Sequence, residues 1–124
     1  MAEMIYQSPK SIEEAVNLLA ASSGSVNILA GGTDLIIQMQ ANIDEPRVII
    51  DVKKIAEMTQ AELTEDALLL GPSMCCAALT AREDIKALFP GLVESAYLIG
   101  SSQVQGRASV GGNLCNSSPA ADTV

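Results

Sequence analysis

An α+β domain, or a piece of one, is the fold class predicted for this 124-residue chain, and three observations predict it. Apolar residues recur at helical spacing between Ile12 and Leu19. Two short runs, Val26–Ala30 (VNILA) and Arg47–Val52 (RVIIDV), have the β-branched, turn-bounded character of strands. The apolar content, 48%, is enough to build a core, so disorder is not expected.

Taken in order, Ile5 and Tyr6 form a short apolar start that Ser8 and Pro9 punctuate. A helix is predicted from Ser11, whose side chain can accept from the backbone of Glu14 while Glu14 reaches back, the reciprocal arrangement of a capping box. Ile12, Ala15, Val16 and Leu19 should face the core, and the helix should stop between Ser22 and Gly24. Val26–Ala30 is a buried strand running into Gly31-Gly32, and Leu35–Gln40 a short helix. Pro46 introduces the strand Arg47–Val52, which closes a compact unit near Ile55. Met58–Leu63 and Ala67–Gly71 flank Thr64-Glu65-Asp66, a pattern that predicts a hairpin with a polar turn. Pro72-Ser73 opens a helical region over Cys75–Leu79. Arg82–Phe89 is a further short helix broken by Pro90-Gly91, and Leu92–Ile99 is another, carrying Val93, Ala96 and Tyr97 inward. From Gly100 onward Gly, Ser, Asn and Pro dominate, and turns are expected. Residues 1–55 thus form a compact, small α+β unit, and residues 56–124 a second part.

Composition removes several function classes. Seven basic against fifteen acidic residues give a net charge of −8, spread along the chain, which argues against a nucleic-acid partner. The sequence has no membrane-length apolar run and its N-terminus has no signal-peptide pattern, so a cytoplasmic protein is expected. Histidine is absent, which excludes a Ser-His-Asp triad, a Cys-His pair or a histidine-rich metal site built from this chain alone. Cys75, Cys76 and Cys115 lack CxxC spacing; free thiols are expected rather than disulfides or an iron-sulfur site.

Two segments carry paired glycines beside small hydroxyl or amide side chains: Ala30-Gly31-Gly32-Thr33-Asp34 and Ser109-Val110-Gly111-Gly112-Asn113. Such pairs let a ligand approach the main chain closely, and neighbouring amides can converge on an anion. Neither segment contains Lys or Arg, which suits a diphosphate buried inside a large ligand better than an exchanging triphosphate. GxxxxGK[ST] and GxGxxG are both absent. By the residues alone the reading stops at an α+β domain bearing either an anion cradle or a pair of tight turns.

Longer strings are more specific. Ile28–Leu35 (ILAGGTDL), Ile99–Val104 (IGSSQV) and Ala108–Thr123 (ASVGGNLCNSSPAADT) resemble the two FAD signatures of the molybdopterin dehydrogenase flavoproteins, the family of flavin subunits in xanthine dehydrogenase and carbon monoxide dehydrogenase. The likeness runs along the whole chain. It implies an FAD-binding fold of the vanillyl-alcohol-oxidase (PCMH) type, α+β and incomplete here, with FAD held noncovalently as in the family it resembles, and no histidine is available for the tether that some relatives of this fold use. By the resemblance Ile28, Leu29, Ala30, Gly31, Gly32, Thr33, Asp34 and Leu35 surround the diphosphate. Ile99 is an apolar contact, Ser109, Val110, Gly111, Gly112 and Asn113 form a second wall, and Asp122 takes a ribose or ribityl hydroxyl. Asp34, negatively charged, is expected to turn from the diphosphate and satisfy backbone amides. A flavin or redox role for Cys115, inside the signature, stays open.

The function so implied is that of an oxidoreductase subunit: electrons from a molybdenum-binding subunit, through an iron-sulfur subunit, to FAD and on to NAD or another acceptor. Molybdopterin and the clusters belong to those partners, and no catalytic residue is nominated. The chain stops at Val124, directly after the second signature, so an incomplete domain with exposed sheet edges and a tendency to self-association is expected. The alternative is a folded interaction module that binds no FAD; an unrelated phosphate-binding protein would explain the glycine pairs but not the long second signature.

Overall fold

In the computed structural model, which describes residues 3–117 and Thr123, the chain opens as strand–helix–strand–helix–strand. β1 (Met4–Gln7), β2 (Ser25–Leu29) and β3 (Arg47–Asp51) form a three-stranded parallel sheet in the order β1-β3-β2. The central place falls to β3, where Ile49, Ile50 and Asp51 are buried. Two helices make the crossovers that parallel strands require: α1 (Ile12–Ala21) and α2 (Leu35–Ala41).

Ser11 caps α1 as expected, accepting from the Glu14 N–H at 3.1 Å. Glu14 reaches back one residue further than a capping box requires, accepting from the Lys10 N–H at 3.0 Å. The predicted inward face of α1 needs correction. Ala15 is buried and Leu18 packs beside it against β3, but Ile12, Val16 and Leu19 are exposed. The apolar stripe is real; among the described residues, no layer covers that side of the helix.

α3 (Ala56–Thr59) replaces the start of the strand predicted from Met58, because the Met58 N–H donates to Ile55 O and closes a helical turn. The hairpin then follows as β4 (Ala61–Leu63) and β5 (Leu68–Leu70), antiparallel, with Leu63 opposite Leu68. Thr64 closes the turn by bonding Ala67 in both directions.

The remainder is helical: α4 (Cys76–Thr80), α5 (Glu83–Leu88), α6 (Pro90–Tyr97), α7 (Ser102–Gln105) and α8 (Val110–Asn116). Pro90 begins α6 rather than merely ending α5, as its fixed φ permits at the first helical position. Val93 and Ala96 point inward as expected, whereas Tyr97 is exposed. The turns expected after Gly100 are instead α7 and α8, each begun by a serine cap: Ser101 accepts from the Val104 N–H and Ser109 from the Gly112 N–H.

Two apolar clusters result. One joins Ala15, Ile50, Val52 and Ile55 beneath the sheet. The other joins Met74, Cys76, Leu79, Ile85, Val93, Ala96, Ile99 and Ala108 between the helices and the β4–β5 hairpin.

Candidate functional site

The two glycine segments, some eighty residues apart in sequence, meet. A Cβ added to Gly31 would lie 1.8 Å from the Arg107 carbonyl oxygen, and one added to Gly112 would lie 3.9 Å from Ala30 Cβ. Between the segments runs a cleft of about 400 Å³, lined by Asn27, Ile28, Ala30–Leu35 and Gln38 on one side and by Ser109, Gly111–Asn113, Cys115 and Asn116 on the other. Val52, Met58, Pro72, Ser73 and Ala108 complete it. The amide of Gln38 donates to the Asn116 side chain at 2.9 Å and ties α2 to α8 across the cleft.

The first segment leaves β2 and turns at Gly32, whose φ of +82° lies in the left-handed region. Among the described residues, none accepts from the backbone N–H groups of Gly31, Gly32, Thr33 or Asp34. Consecutive free N–H groups around a left-handed residue form a concavity that suits an anion.

The second segment differs. Its N–H groups are largely engaged: Gly111 donates to Pro72 O, Gly112 to Ser109 Oγ and Asn113 to Ser109 O. Gly111 is a packing glycine, since a Cβ there would meet Pro72 at 2.4 Å. Ser109, almost fully buried, is pinned further because Ala108 O accepts from the Cys76 N–H at 2.7 Å. This wall therefore presents a rigid, glycine-smoothed surface. The Asn113 side-chain amide on it donates to Thr123 Oγ1 at 2.8 Å.

Most of the site residues expected from sequence line the cleft, but Leu29, Ile99 and Val110 do not. Ile99 belongs to the helical cluster and Val110 packs against it. Asp34 lines the cleft from an exposed position and makes no capping hydrogen bond, so it does not satisfy the backbone amides expected of it. Asp122 lies outside the described residues.

Sequence reasoning missed two residues. Asn27 lines the cleft with a buried Oδ1 that has no partner among the described residues, an arrangement that proteins rarely leave uncompensated. Lys53 lies outside the cleft lining but holds the first segment: its Nζ donates to Ala30 O at 2.7 Å and pairs with Asp51 Oδ1 at 3.0 Å. Asp51 also accepts from Tyr6 OH and from the Lys53 N–H. Burial by itself pushes the Asp51 carboxyl up, but the bonds from Tyr6 and Lys53 outweigh it and hold the group below the usual carboxylate range. Cys75, Cys76 and Cys115 are free of disulfides.

Residues 2–124 match the family described as "FAD binding domain in molybdopterin dehydrogenase". The chain is 31% identical over 117 residues to the caffeine dehydrogenase subunit beta of a Pseudomonas species, covering 94% of this chain and 40% of that one. It is 33% identical over 119 residues to the xanthine dehydrogenase FAD-binding subunit of Escherichia coli O157:H7, covering 95% of this chain and again 40% of the relative. Reconstituted CO dehydrogenase from Oligotropha carboxidovorans superposes with a TM-score of 0.91 at 28% identity, over 98% of this chain and 43% of the solved one. The chain thus spans about two fifths of the length of these relatives.

Proposed function

The chain belongs to the family of FAD-binding domains of molybdopterin dehydrogenases, and from that premise we propose that the cleft between the two glycine segments holds FAD noncovalently. The observation that carries this reading is the run of backbone N–H groups from Gly31 to Asp34 that have no acceptor among the described residues, facing a wall of small residues that leaves the main chain open to a ligand. The orphaned Asn27 Oδ1 supports it as well. An acceptor without a donor fits a hydroxyl-rich ligand, and FAD carries hydroxyls on either side of its diphosphate.

Each residue then has a physical task. The N–H groups of Gly31–Asp34 meet the diphosphate charge, which they do without the mobile side chains whose ordering would oppose binding. Gly112 keeps the α8 wall intact, since a Cβ there would meet the Ser109 Oγ at 2.8 Å. Asn27 takes a hydroxyl. The Asp34 carboxylate, negative like the phosphates, serves the sugar end, and Asp122 is proposed for a ribose or ribityl hydroxyl. Bound flavin supplies two-electron and one-electron redox chemistry; the protein's share is to bind, orient and shield it.

The subunit is proposed to act beside a molybdenum-binding and an iron-sulfur subunit, receiving electrons from substrate oxidation and delivering them to NAD or another acceptor in the cytoplasm. The division of the domain near Ile55 is part of the same proposal. The exposed apolar side chains of β1 and α1, among them Met4, Tyr6, Ile12 and Val16, favour a second reading in which this segment is an interaction module without FAD, or one that self-associates. The visible spectrum of the purified protein separates the two. Flavin absorption, with FAD identified by mass in the supernatant after denaturation, supports the cofactor; a colourless protein that also takes up no added FAD rejects it.

A further inference from the structure

We infer that Lys53 is a positioning residue that sets the orientation of the Gly31–Asp34 backbone, an inference that rests on the proposed FAD cleft. The sheet register brings it there. Leu29 of β2 pairs with Asp51 of β3, so the chain two residues beyond Asp51 arrives beside the start of the glycine segment. Lys53 is fastened to the strand end by its own N–H, which donates to Asp51 Oδ1 at 3.0 Å, and by the ion pair with the same carboxylate. Tyr6 OH from β1 holds the other carboxylate oxygen. The ammonium then extends to the Ala30 carbonyl.

The consequence follows from the planarity of the peptide. In a trans unit the C=O and N–H point in opposite directions, and the chain has no cis bond among the described residues. Fixing the Ala30 carbonyl on Lys53 therefore aims the Gly31 N–H away from Lys53, and it is this N–H that begins the row without acceptors among the described residues. Gly31 and Gly32 lack the Cβ that restricts rotation at other residues, and Gly32 already has a positive φ. Without an anchor the Ala30–Gly31 peptide can flip and remove the first donor from the row. Lys53 need not touch the ligand, and its charge is largely balanced by Asp51.

The test compares wild type, Lys53→Met and Lys53→Arg by titration with FAD and with ADP, which carries a diphosphate but no flavin, and by the amide NMR signals of Gly31 and Gly32 without ligand. Lys53→Met is expected to weaken FAD and ADP alike by about tenfold or more, the loss of one charge-assisted bond, and to shift both glycine amides. Lys53→Arg, which keeps a donor and the charge, is expected to recover affinity to within about threefold of wild type. Tyr6→Phe loosens the same anchor from its far side and serves if Lys53→Met does not fold, with a smaller loss for both ligands. Equal affinities in Lys53→Met and wild type, or a loss confined to FAD, would overturn the inference. A wild-type protein that takes up no FAD refutes the reading of the cleft instead. The glycine amides then decide for Lys53: a shift in Lys53→Met supports it, and unchanged signals overturn it.

Discussion

Replacing Gly31 by alanine probes the closest approach between the two halves of the site. The new Cβ would sit 1.8 Å from the Arg107 carbonyl oxygen and 2.5 Å from its carbon. An ordinary carbon–oxygen contact needs about 3.3 Å, so the segments must part by about 1.5 Å. Overpacking of this kind costs about 1–3 kcal/mol. Here the obstructing atoms are backbone, which cannot turn aside as a side chain would, so the cost falls at the upper end, about 3 kcal/mol. Against a total stability of about 5–15 kcal/mol this is a large fraction, and for a chain of this size it lowers the melting temperature by about 10 °C. Thermal unfolding followed by circular dichroism measures it, with Gly91→Ala as the comparison. Gly91 lies in α6 with nothing within 4 Å of an added Cβ, so that variant should melt at or slightly above wild type. Gly31→Ala should also lose FAD affinity, because the cleft widens where the free N–H groups lie. A Gly31→Ala protein that melts with wild type and binds FAD as well would refute the contact between the segments.

Further consequences can be measured on the same protein. Ser109→Ala removes the cap of α8 and leaves the Gly112 N–H unpaired; a loss of about 1 kcal/mol is expected in urea unfolding, and an unchanged midpoint would show that the cap is dispensable. The folded-state pKa of Asp51 is depressed, so its stabilisation is complete above the unfolded value of about 3.9 and is lost as pH falls through the lower folded value. Wild type should therefore lose more stability than Tyr6→Phe over that acid window, and parallel curves would contradict the role of the Tyr6 bond. Burial, with some help from Cys75, pushes the Cys76 thiol up to about 11. Iodoacetamide at mildly alkaline pH should consequently modify exposed Cys115 well before Cys76, and FAD should slow the reaction at Cys115 because that residue lines the cleft. Peptide mass spectrometry reads both sites, and equal rates in the native protein would be inconsistent with the buried position of Cys76.

Local chemistry made much of the fold legible in advance. The Ser11 cap, the β-branched density of Arg47–Val52 and the Thr64–Asp66 turn each specify an element through neighbouring residues alone. The glycine pairs marked two segments as special, although by themselves they fitted tight turns as well as an anion cradle. What sequence could not convey was what packs on what. Helical periodicity identified the apolar stripe of α1 but not that Ile12, Val16 and Leu19 are exposed. Composition marked the stretch after Gly100 as turns, although the serine caps at Ser101 and Ser109 were visible by the same rule that found Ser11. Gly111 and Gly112 lower helix propensity by about 1 kcal/mol each, yet Gly111 is required for contact with Pro72 and the helix forms around it. Lys53 reaches the Ala30 carbonyl through the register of β2 on β3, a relation between distant residues that no local pattern encodes.

The central claim is that FAD lies between the two glycine segments with its diphosphate on the Gly31–Asp34 backbone. An amide NMR titration with FAD tests it most directly. The signals of Gly31, Gly32, Thr33 and Asp34 should move together, with those of Gly112 and Asn113, and saturate at one FAD per chain. FAD that binds while these signals stay in place would contradict the account, because the cofactor would then be held somewhere else on the protein.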